Sequence, residues 1–325
     1  MSTRRSRRSE AVPSSRPSFG RSGSRGTRTC RRPWWLIAGS WWPCDRKPDR
    51  AGARAENHHP ISRRNSLAKT IFTGRHGRTT IVTIDRPERR NAIDLPTAQA
   101  LIAAFEAFDA DEASHVAVLT GAGGAFCAGA DLVAIAAGER KPLNRAGTFA
   151  PIGPTRLKLS KPVIAAIEGP AVAGGMELAA WCDLRVAGRS ALFGMYNRRF
   201  GVPTCDLGAI RFPRLIGQGR ALDLMLTGRT VGMDEALAIG LVSRVVDDGA
   251  ALSAALALAE DIGSVPQVAM RNDRKALIDS WDLSEADAIA NEIELGLATL
   301  GSGETVAGAS SFAGGAGRHG AAVGR

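Results

Sequence analysis

Two stretches of this 325-residue chain have the same layout: an apolar strand ends at a glycine, small residues follow, and a helix begins at a second glycine-containing step. They are VLTGAGGAFCAGADL at 118–132 and AIEGPAVAGGMEL at 166–178. Glycine inside a helix costs about 1 kcal/mol relative to alanine, so the adjacent Gly174 and Gly175 are expected where the backbone approaches another group closely. If the two units stack, their helix starts lie side by side, each with backbone N–H groups that have no partner inside the helix.

These paired loops allow two interpretations. Two N–H groups directed at one oxygen atom would form an oxyanion hole, which stabilises negative charge on a carbonyl oxygen. The loops would equally well be tight turns that only let the helices pack on the strands. Glu177 has the same ambiguity, because a carboxylate in the first turn of a helix can transfer protons or simply interact with the helix dipole. The spacing alone does not decide between the two interpretations.

An alternation of strands and helices begins at about residue 70 and predicts an α/β fold. The predicted strands are 79–85, 115–120, 161–169 and 183–188. The helix predicted at 96–109 has an apolar face made of Ala98, Leu101, Ile102, Phe105 and Phe108. Asp131 is the expected N-cap of a second helix. After Gly208 the chain is mostly helical, with one short strand at 241–246 and three helices up to about Leu300, and the last 25 residues are too rich in glycine to assign.

The formal charge of +10 is concentrated at the N-terminus. Residues 1–69 contain 17 Lys and Arg against 4 Asp and Glu, whereas the rest of the chain has 25 against 28. The segment 1–69 is rich in Arg, Ser, Pro and Gly and has no periodicity, so we predict a disordered extension that is either dispensable or an upstream stretch translated by mistake. The remainder is mildly acidic and has no platform of basic and aromatic residues, so no nucleic-acid partner is expected.

An apolar run from Trp34 to Trp42 spans nine residues, about half the length of a membrane helix, so no membrane partner is expected. A secretory signal around this run is the weaker alternative, because Pro33 and Pro43 bracket it. The five cysteines form no CxxC pair and their number is odd, which fits reduced thiols and a cytoplasmic protein. The five histidines have no metal-ligand spacing, so no metal site is expected.

Four blocks of sequence, two of which overlap the loops described above, carry a family resemblance. They are DRPERRNAID (85–94), LTGAGGAFCAGADL (119–132), GPAVAGGMELAAWCDLRVA (169–187) and LTGRTVGMDEALAIGLVSRVV (226–246). In this order they resemble the crotonase superfamily, specifically the enoyl-CoA hydratase/isomerase family. The resemblance implies an α/β spiral of repeated ββα units at 70–265, followed by a helical region with a Gly-rich tail at 266–325. It also implies acyl-CoA thioester substrates, no cofactor besides that coenzyme A, and a homotrimer or dimer of trimers.

The same resemblance assigns the site residues. The backbone amides of Ala130 and Gly174 correspond to the oxyanion donors of the family, and Glu177 corresponds to an acid–base residue. The expected substrate-binding residues are Arg89, Ala128, Asp131, Leu132 and Asn197. Ala173 replaces a glycine of many relatives, which we expect to be a mild change.

One position departs from the hydratase pattern. Hydratases of the family carry a second glutamate twenty residues after the first, and here that position is Asn197, which cannot transfer a proton. Asp206 is the nearest downstream carboxylate, although it also fits as a cap of the turn before Gly208. The expected function is hydratase-like chemistry on enoyl-CoA with Glu177 as the acid–base group. Isomerisation, another crotonase-type reaction and catalytically silent acyl-CoA binding are the alternatives.

Overall fold

The computed structural model describes residues 70–320, and the predicted extension at 1–69 lies outside these described residues. Nine strands form two sheets in this part of the chain. The larger sheet has the spatial order β1 (Ile71–His76), β2 (Thr79–Ile84), β3 (Val116–Gly121), β4 (Val163–Ile167), β6 (Leu184–Gly188) and β9 (Arg244–Val246). The smaller sheet has the order β5 (Pro170–Val172), β7 (Leu192–Gly194) and β8 (Thr230–Val231). In the larger sheet all neighbours are parallel except the β1–β2 hairpin.

Ten α-helices complete the described residues. They are α1 (Leu95–Ala110), α2 (Leu132–Ala136), α3 (Gly174–Trp181), α4 (Gly208–Ile216), α5 (Gln218–Thr227), α6 (Met233–Ala238), α7 (Ala251–Ser264), α8 (Gln267–Asp279), α9 (Glu285–Gly301) and α10 (Glu304–Ala313). The α/β alternation that the sequence predicts is therefore confirmed.

The central strands are buried on both faces, as is usual for parallel strands covered by helices. Alternate residues face opposite sides, so Val118 and Ile164 pack with α7, whereas Leu119 and Ala165 belong to the larger core. Helix α1 closes that larger core with the apolar face predicted for it, of which Ala98, Leu101, Phe105 and Phe108 are buried and Ile102 is partly buried. Asp94 starts this helix, because its carboxylate accepts the Thr97 N–H at 2.9 Å.

The chain winds between the two sheets. Strand β4 leads directly into β5, and β6 leads into β7, so each repeat contributes one strand to each sheet. Single parallel bridges extend the smaller sheet, pairing Cys127 with Ala171 and Ile93 with Ala130. The Cys127–Ala171 bridge joins the two glycine-containing loops, which therefore lie side by side.

Strands β1, β5, β7 and β8 and helix α10 lie outside the elements predicted from the sequence. Strand β1 is an edge strand in which one residue of six is buried, so it lacks the alternation of a half-buried strand. Helix α10 lies in the glycine-rich stretch that was left unassigned.

The C-terminal helices α8, α9 and α10 pack mainly on one another and leave a row of apolar side chains exposed. The guanidinium group of Arg274 links α8 to the sheet, because it contacts the Asp183 carboxylate at 2.9 Å and the Leu159 carbonyl oxygen at 2.8 Å. In the described part of the chain, no helix combines the length and the apolar character that crossing a membrane requires.

Candidate active site

The loop after β3 has a backbone amide that points away from its neighbouring segment. The Ile93 N–H donates to the Gly129 carbonyl oxygen at 2.7 Å. In a trans peptide the N–H points opposite to the C=O, and the described chain has no cis bond, so the Ala130 N–H is directed away from Ile93. Among the described residues, the Ala130 amide donates no hydrogen bond.

The loop after β5 presents a second free amide. The Ala173 carbonyl oxygen accepts the Met176 N–H at 3.0 Å as α3 begins, which leaves the Gly174 N–H facing outward from the helix start. The two loops touch, since a Cβ atom built on Gly129 would lie 2.7 Å from the Gly174 nitrogen. No acceptor for the Gly174 amide occurs within residues 70–320. Two unpaired donors are therefore held together by direct backbone packing.

Contact with protein atoms explains the adjacent glycines. A Cβ atom on Gly175 would lie 2.0 Å from the Cys127 carbonyl oxygen, and one on Gly174 would lie 2.6 Å from the Ile152 side chain. The tight-turn interpretation thus accounts for why both residues are glycine. The same close packing holds the free amides of Ala130 and Gly174 in place.

Ala173 is a strained residue and not the mild replacement expected from the sequence. Its φ of 52° and ψ of −125° lie in a region that glycine adopts readily and alanine rarely does. Conformations of this kind cost about 1–3 kcal/mol each and persist where the surroundings enforce them. Here the Ala173 N–H donates to Gly194 and its carbonyl oxygen starts α3, which holds the Gly174 amide in its orientation.

Glu177 is a buried carboxylate with one oxygen occupied. Its side chain belongs to α3 and the residue is 2% exposed. The Oε1 atom accepts two backbone N–H groups, from Asp206 at 3.0 Å and from Gly208 at 2.9 Å. Leu207 between them has a left-handed φ of 67°, which directs both amides at the same atom. No described residue donates to the Oε2 atom.

Asp206 is fixed in the same way from the other side. Its Oδ1 atom accepts the Ile152 N–H at 2.9 Å and the Thr155 hydroxyl at 2.8 Å, and the residue is 3% exposed. Arg211 on α4 donates to the carbonyl oxygens of Asp206 and Thr155, at 3.2 and 2.7 Å. The Asp206 carboxylate does not cap the turn before Gly208, since it binds a segment 50 residues earlier and α4 has no side-chain cap.

Burial dominates the electrostatics of this carboxylate pair. It raises the pKa of Glu177 to about 7, and the charge of Asp206 adds to the rise, while the two amides oppose it. Burial also raises the pKa of Asp206, opposed by the hydrogen bonds from Ile152 and Thr155 and by the charge of Lys141. Burial lowers the pKa of the neighbouring Arg211 to about 10. Burial therefore favours the protonated form of both carboxyl groups, and it places the pKa of Glu177 at about 7.

Asn197, at the position of the second glutamate in the family pattern, serves as a loop anchor. Its Nδ2 donates to the Val202 carbonyl oxygen at 3.0 Å and lies 3.5 Å from the Thr204 hydroxyl. The Oδ1 atom is buried and has no hydrogen-bond partner among the described residues.

These groups line a cavity of about 700 Å³. Of the residues proposed from the sequence, Ala128, Ala130, Leu132, Gly174, Glu177, Asn197 and Asp206 line it. Basic side chains also line it, namely Arg90, Arg140, Lys141 and Arg199. The described residues contain no cluster of His, Cys, Asp and Glu that could hold a metal ion.

Two residues expected to bind substrate lie outside the cavity lining. Arg89 is exposed in a 3-10 turn, and its neighbour Arg90 takes its place in the lining. Asp131 caps α2, as predicted, by accepting the N–H groups of Val133 and Ala134, and its other oxygen contacts Arg86 at 3.0 Å. The side chain is thus fully engaged within the protein.

Sequence reasoning missed the groups that hold Asp206. Ile152, Thr155 and Lys141 come from a segment between α2 and β4 that has no periodic pattern, and nothing in its sequence indicates that it folds over the site. Arg211 lies on a predicted helix, but its role depends on a contact with Thr155 far away in sequence.

Solved structures with this fold define the class of protein. The crystal structure of an enoyl-CoA hydratase from Mycobacterium marinum matches with a TM-score of 0.71 and 36% identity, over 75% of this chain and 95% of that chain. An enoyl-CoA hydratase from Mycobacterium tuberculosis matches with a TM-score of 0.70 and 35% identity, over 75% of this chain and 95% of the other. The fold is that of the crotonase superfamily, as predicted.

Sequence comparison gives the family. The model of the Enoyl-CoA hydratase/isomerase family matches residues 75–314. An enoyl-CoA hydratase of Mycobacterium tuberculosis is 36% identical over 246 residues, which are 74% of this chain and 91% of the relative. A mevalonyl-coenzyme A hydratase of Beauveria bassiana is 36% identical over 232 residues, which are 68% of this chain and 82% of the relative. The chain therefore belongs to the enoyl-CoA hydratase/isomerase family and is a hydratase-like enzyme.

The raised pKa of Glu177 predicts a pH-dependent cost in stability. Its pKa in the folded protein is about 7, against an ordinary value of 4.5, so the folded state binds the proton more tightly than the unfolded state. The free energy of unfolding should therefore fall as pH rises from about 4.5 through about 7. Glu177→Gln should be more stable than the parent at pH 8 by roughly 1–3 kcal/mol, with the gap closing toward pH 5. Urea unfolding across this pH range measures the difference.

The control for this experiment is Glu106→Gln, which removes one exposed carboxylate from α1. It should leave the pH dependence unchanged. A gap for Glu177→Gln that is constant from pH 5 to pH 8 would contradict the prediction.

Proposed function

We propose that this enzyme hydrates enoyl-CoA thioesters through an enolate intermediate. The observation that carries the proposal is the carboxylate pair, in which Glu177 and Asp206 each have one oxygen fixed by two donors and the other unoccupied, on the cavity that contains two free amides. The names of the relatives, which include enoyl-CoA and mevalonyl-coenzyme A hydratases, support the substrate class.

The Ala130 and Gly174 amides would act as the oxyanion hole. Addition of water to the β-carbon of an enoyl thioester moves negative charge onto the thioester oxygen. Two fixed N–H dipoles stabilise that charge without reorganising during the reaction. This role is supported by the direction of the two N–H groups, which point away from their own loops, and by the fact that neither donates to a described residue.

Asp206 would be the base and Glu177 the acid. Asp206 accepts hydrogen bonds from the Thr155 hydroxyl and the Ile152 amide. These bonds and the positive charges of Lys141 and Arg156 favour its ionised form. Glu177 has its pKa raised to about 7, so it retains a proton more readily. The oxygen of water bonds to the β-carbon and its proton passes to Asp206. Glu177 then protonates the α-carbon, the carbonyl reforms, and a proton returns from Asp206 to Glu177.

Isomerisation is the second candidate. One carboxylate suffices to move a proton between two carbons, and Asn197 provides no acid at the position of the second glutamate. Asp206 lines the same cavity as Glu177 and its charge raises the pKa of Glu177, so it supplies a second carboxylate that favours hydration.

The cavity also supports a coenzyme A ester as the substrate. Arg90, Arg140 and Arg199 add positive charge to its lining, which suits the phosphate groups of coenzyme A. Apolar side chains such as Leu132, Ile135 and Val202 suit an acyl chain. In this proposal the coenzyme A of the substrate is the only cofactor-like group, and the enzyme acts in the cytoplasm.

We further propose a homotrimer, or a dimer of trimers, that uses the C-terminal helices. Helix α9 carries a stripe of apolar side chains that are each more than half exposed, namely Ile289, Ile293, Leu297 and Leu300. An apolar stripe of this kind favours contact with another copy of the chain.

Sedimentation velocity of the parent should give a trimer or hexamer, and Ile293→Asp should give a species with fewer subunits. A parent that sediments as a monomer would contradict the assembly.

Hydration of crotonyl-CoA and of longer enoyl-CoA esters tests the carboxylate assignment. Glu177→Gln and Asp206→Asn should each lower kcat by about 10²-fold or more, because each removes one proton-transfer group. Glu106→Gln is the control with unchanged charge in the cavity. If Asp206→Asn hydrates normally while Glu177→Gln is inactive, a single-glutamate mechanism replaces the two-carboxylate one. If a folded Glu177→Gln stays active, the assignment itself is wrong.

Gly129→Ala tests the oxyanion hole. The added Cβ would lie 2.7 Å from the Gly174 nitrogen and would displace that amide, so turnover should fall by about 10²-fold, the scale for losing one oxyanion donor. Gly124→Ala in the same loop is the matched control. Gly124 also has a positive φ, 77° against 88° at Gly129, but nothing lies within 4 Å of its added Cβ. Equal losses in the two variants would point to backbone strain and against the amide.

A further inference from the structure

Lys141 lines the cavity, yet the hydration steps above do not use it. It lies between α2 and the 3-10 turn at Pro154–Arg156 and is partly buried. Its Nζ atom donates to the Ile93 carbonyl oxygen at 2.6 Å and to the Pro151 carbonyl oxygen at 2.8 Å. Two of the three ammonium N–H bonds are therefore used on two separate segments.

Each acceptor of Lys141 adjoins a group of the proposed reaction. Ile93 holds the peptides on both sides of Ala130, because its N–H donates to Gly129 and its carbonyl oxygen accepts the Asp131 N–H at 2.9 Å. Pro151 immediately precedes Ile152, whose N–H binds the Asp206 carboxylate. A single side chain thus connects the backbone around the Ala130 amide to the backbone that holds Asp206.

We propose that Lys141 is a positioning residue for hydration, which fixes the Ala130 amide relative to Asp206 and stabilises the negative charge of Asp206. The inference rests on the proposed function. It adds a role for Lys141, a cation that belongs neither to the oxyanion hole nor to the carboxylate pair.

The charges around Lys141 agree with this role. Burial lowers its pKa, and the charges of Glu139, Asp206 and Asp94 oppose that shift. Lys141 in turn lowers the pKa of Asp206 against the opposing effect of burial. The other ionisable groups that face Asp206 are Arg156, Glu177, Arg211, Cys127 and Cys205. Loss of the Lys141 charge should therefore make Asp206 harder to ionise.

Two variants separate positioning from charge. Lys141→Met keeps the length of the side chain and removes the charge, whereas Lys141→Arg keeps the charge. For Lys141→Met we expect kcat to fall about tenfold or more with a smaller change in KM. The acid limb of the kcat/KM profile should shift to higher pH by about half a unit or more, because Asp206 must be ionised to accept a proton. Lys141→Arg should restore the position of the acid limb.

The control is Lys158→Met, which removes one positive charge from an exposed side chain paired with Asp282 at 3.6 Å. It should leave both kcat and the acid limb unchanged. A Lys141→Met enzyme whose acid limb coincides with that of the parent would overturn the proposal, whatever its kcat, because a purely structural lysine predicts this result.

A second measurement does not depend on activity. The carboxyl resonance of Asp206 can be followed by 13C NMR in protein labelled at aspartate, with Asp206→Asn used for assignment. Its titration midpoint should be higher in Lys141→Met than in the parent, and an unchanged midpoint would refute the proposal. If the parent hydrates no enoyl-CoA, the proposed function fails, but this titration still decides whether Lys141 acts on Asp206. If Lys141→Met does not fold by circular dichroism, Lys141→Gln provides the same comparison.

Discussion

The contact between two backbones, at Cys127 and Gly175, is the constraint on which the site depends. The Cys127 carbonyl oxygen occupies the space of a side chain at 175, and the Val172 N–H donates to that same oxygen at 3.0 Å. Only glycine permits this approach. Because the loops are joined at this distance, the first loop brings Ala130 beside the start of α3. A looser contact would leave two ordinary turns, so the packing of the loops and the geometry of their amides have one cause.

Each of the two buried carboxylates has one oxygen bonded by the protein and one oxygen left open. A buried Glu177 would be costly if both oxygens lacked partners, and a fully bonded one would have no oxygen left for chemistry. The left-handed Leu207 resolves this by directing two amides at Oε1 alone, and Thr155 with Ile152 does the same for one oxygen of Asp206. Each group is then partly satisfied by the protein. Burial still raises both pKa values, which favours the protonated form of each carboxyl group.

The sequence was informative where structure is local. The apolar face of α1 and the Asp131 cap follow from patterns within about fifteen residues, and the structure confirms both. The supports of Asp206 are not local, since Thr155 and Arg211 are 56 residues apart and meet only after the fold forms. The strain at Ala173 was also hidden, because a backbone dihedral angle is not visible in residue type. Arg89 was predicted to bind substrate, but the cavity is lined by the next residue, Arg90, which follows the short 3-10 turn.

The presence of Asn197 and of Asp206 is physically connected. The Asn197 amide donates to the Val202 carbonyl oxygen and so closes the loop that runs from the Tyr196–Phe200 turn toward α4. The Val202 N–H in turn donates to the Asn197 carbonyl oxygen at 3.1 Å, so both the side chain and the backbone of Asn197 bind Val202. The closed loop then leads into Asp206, whose amide binds Glu177 from the other end. An amide at 197 therefore provides no proton transfer at that position, and the loop that it anchors leads to a carboxylate nine residues later at Asp206.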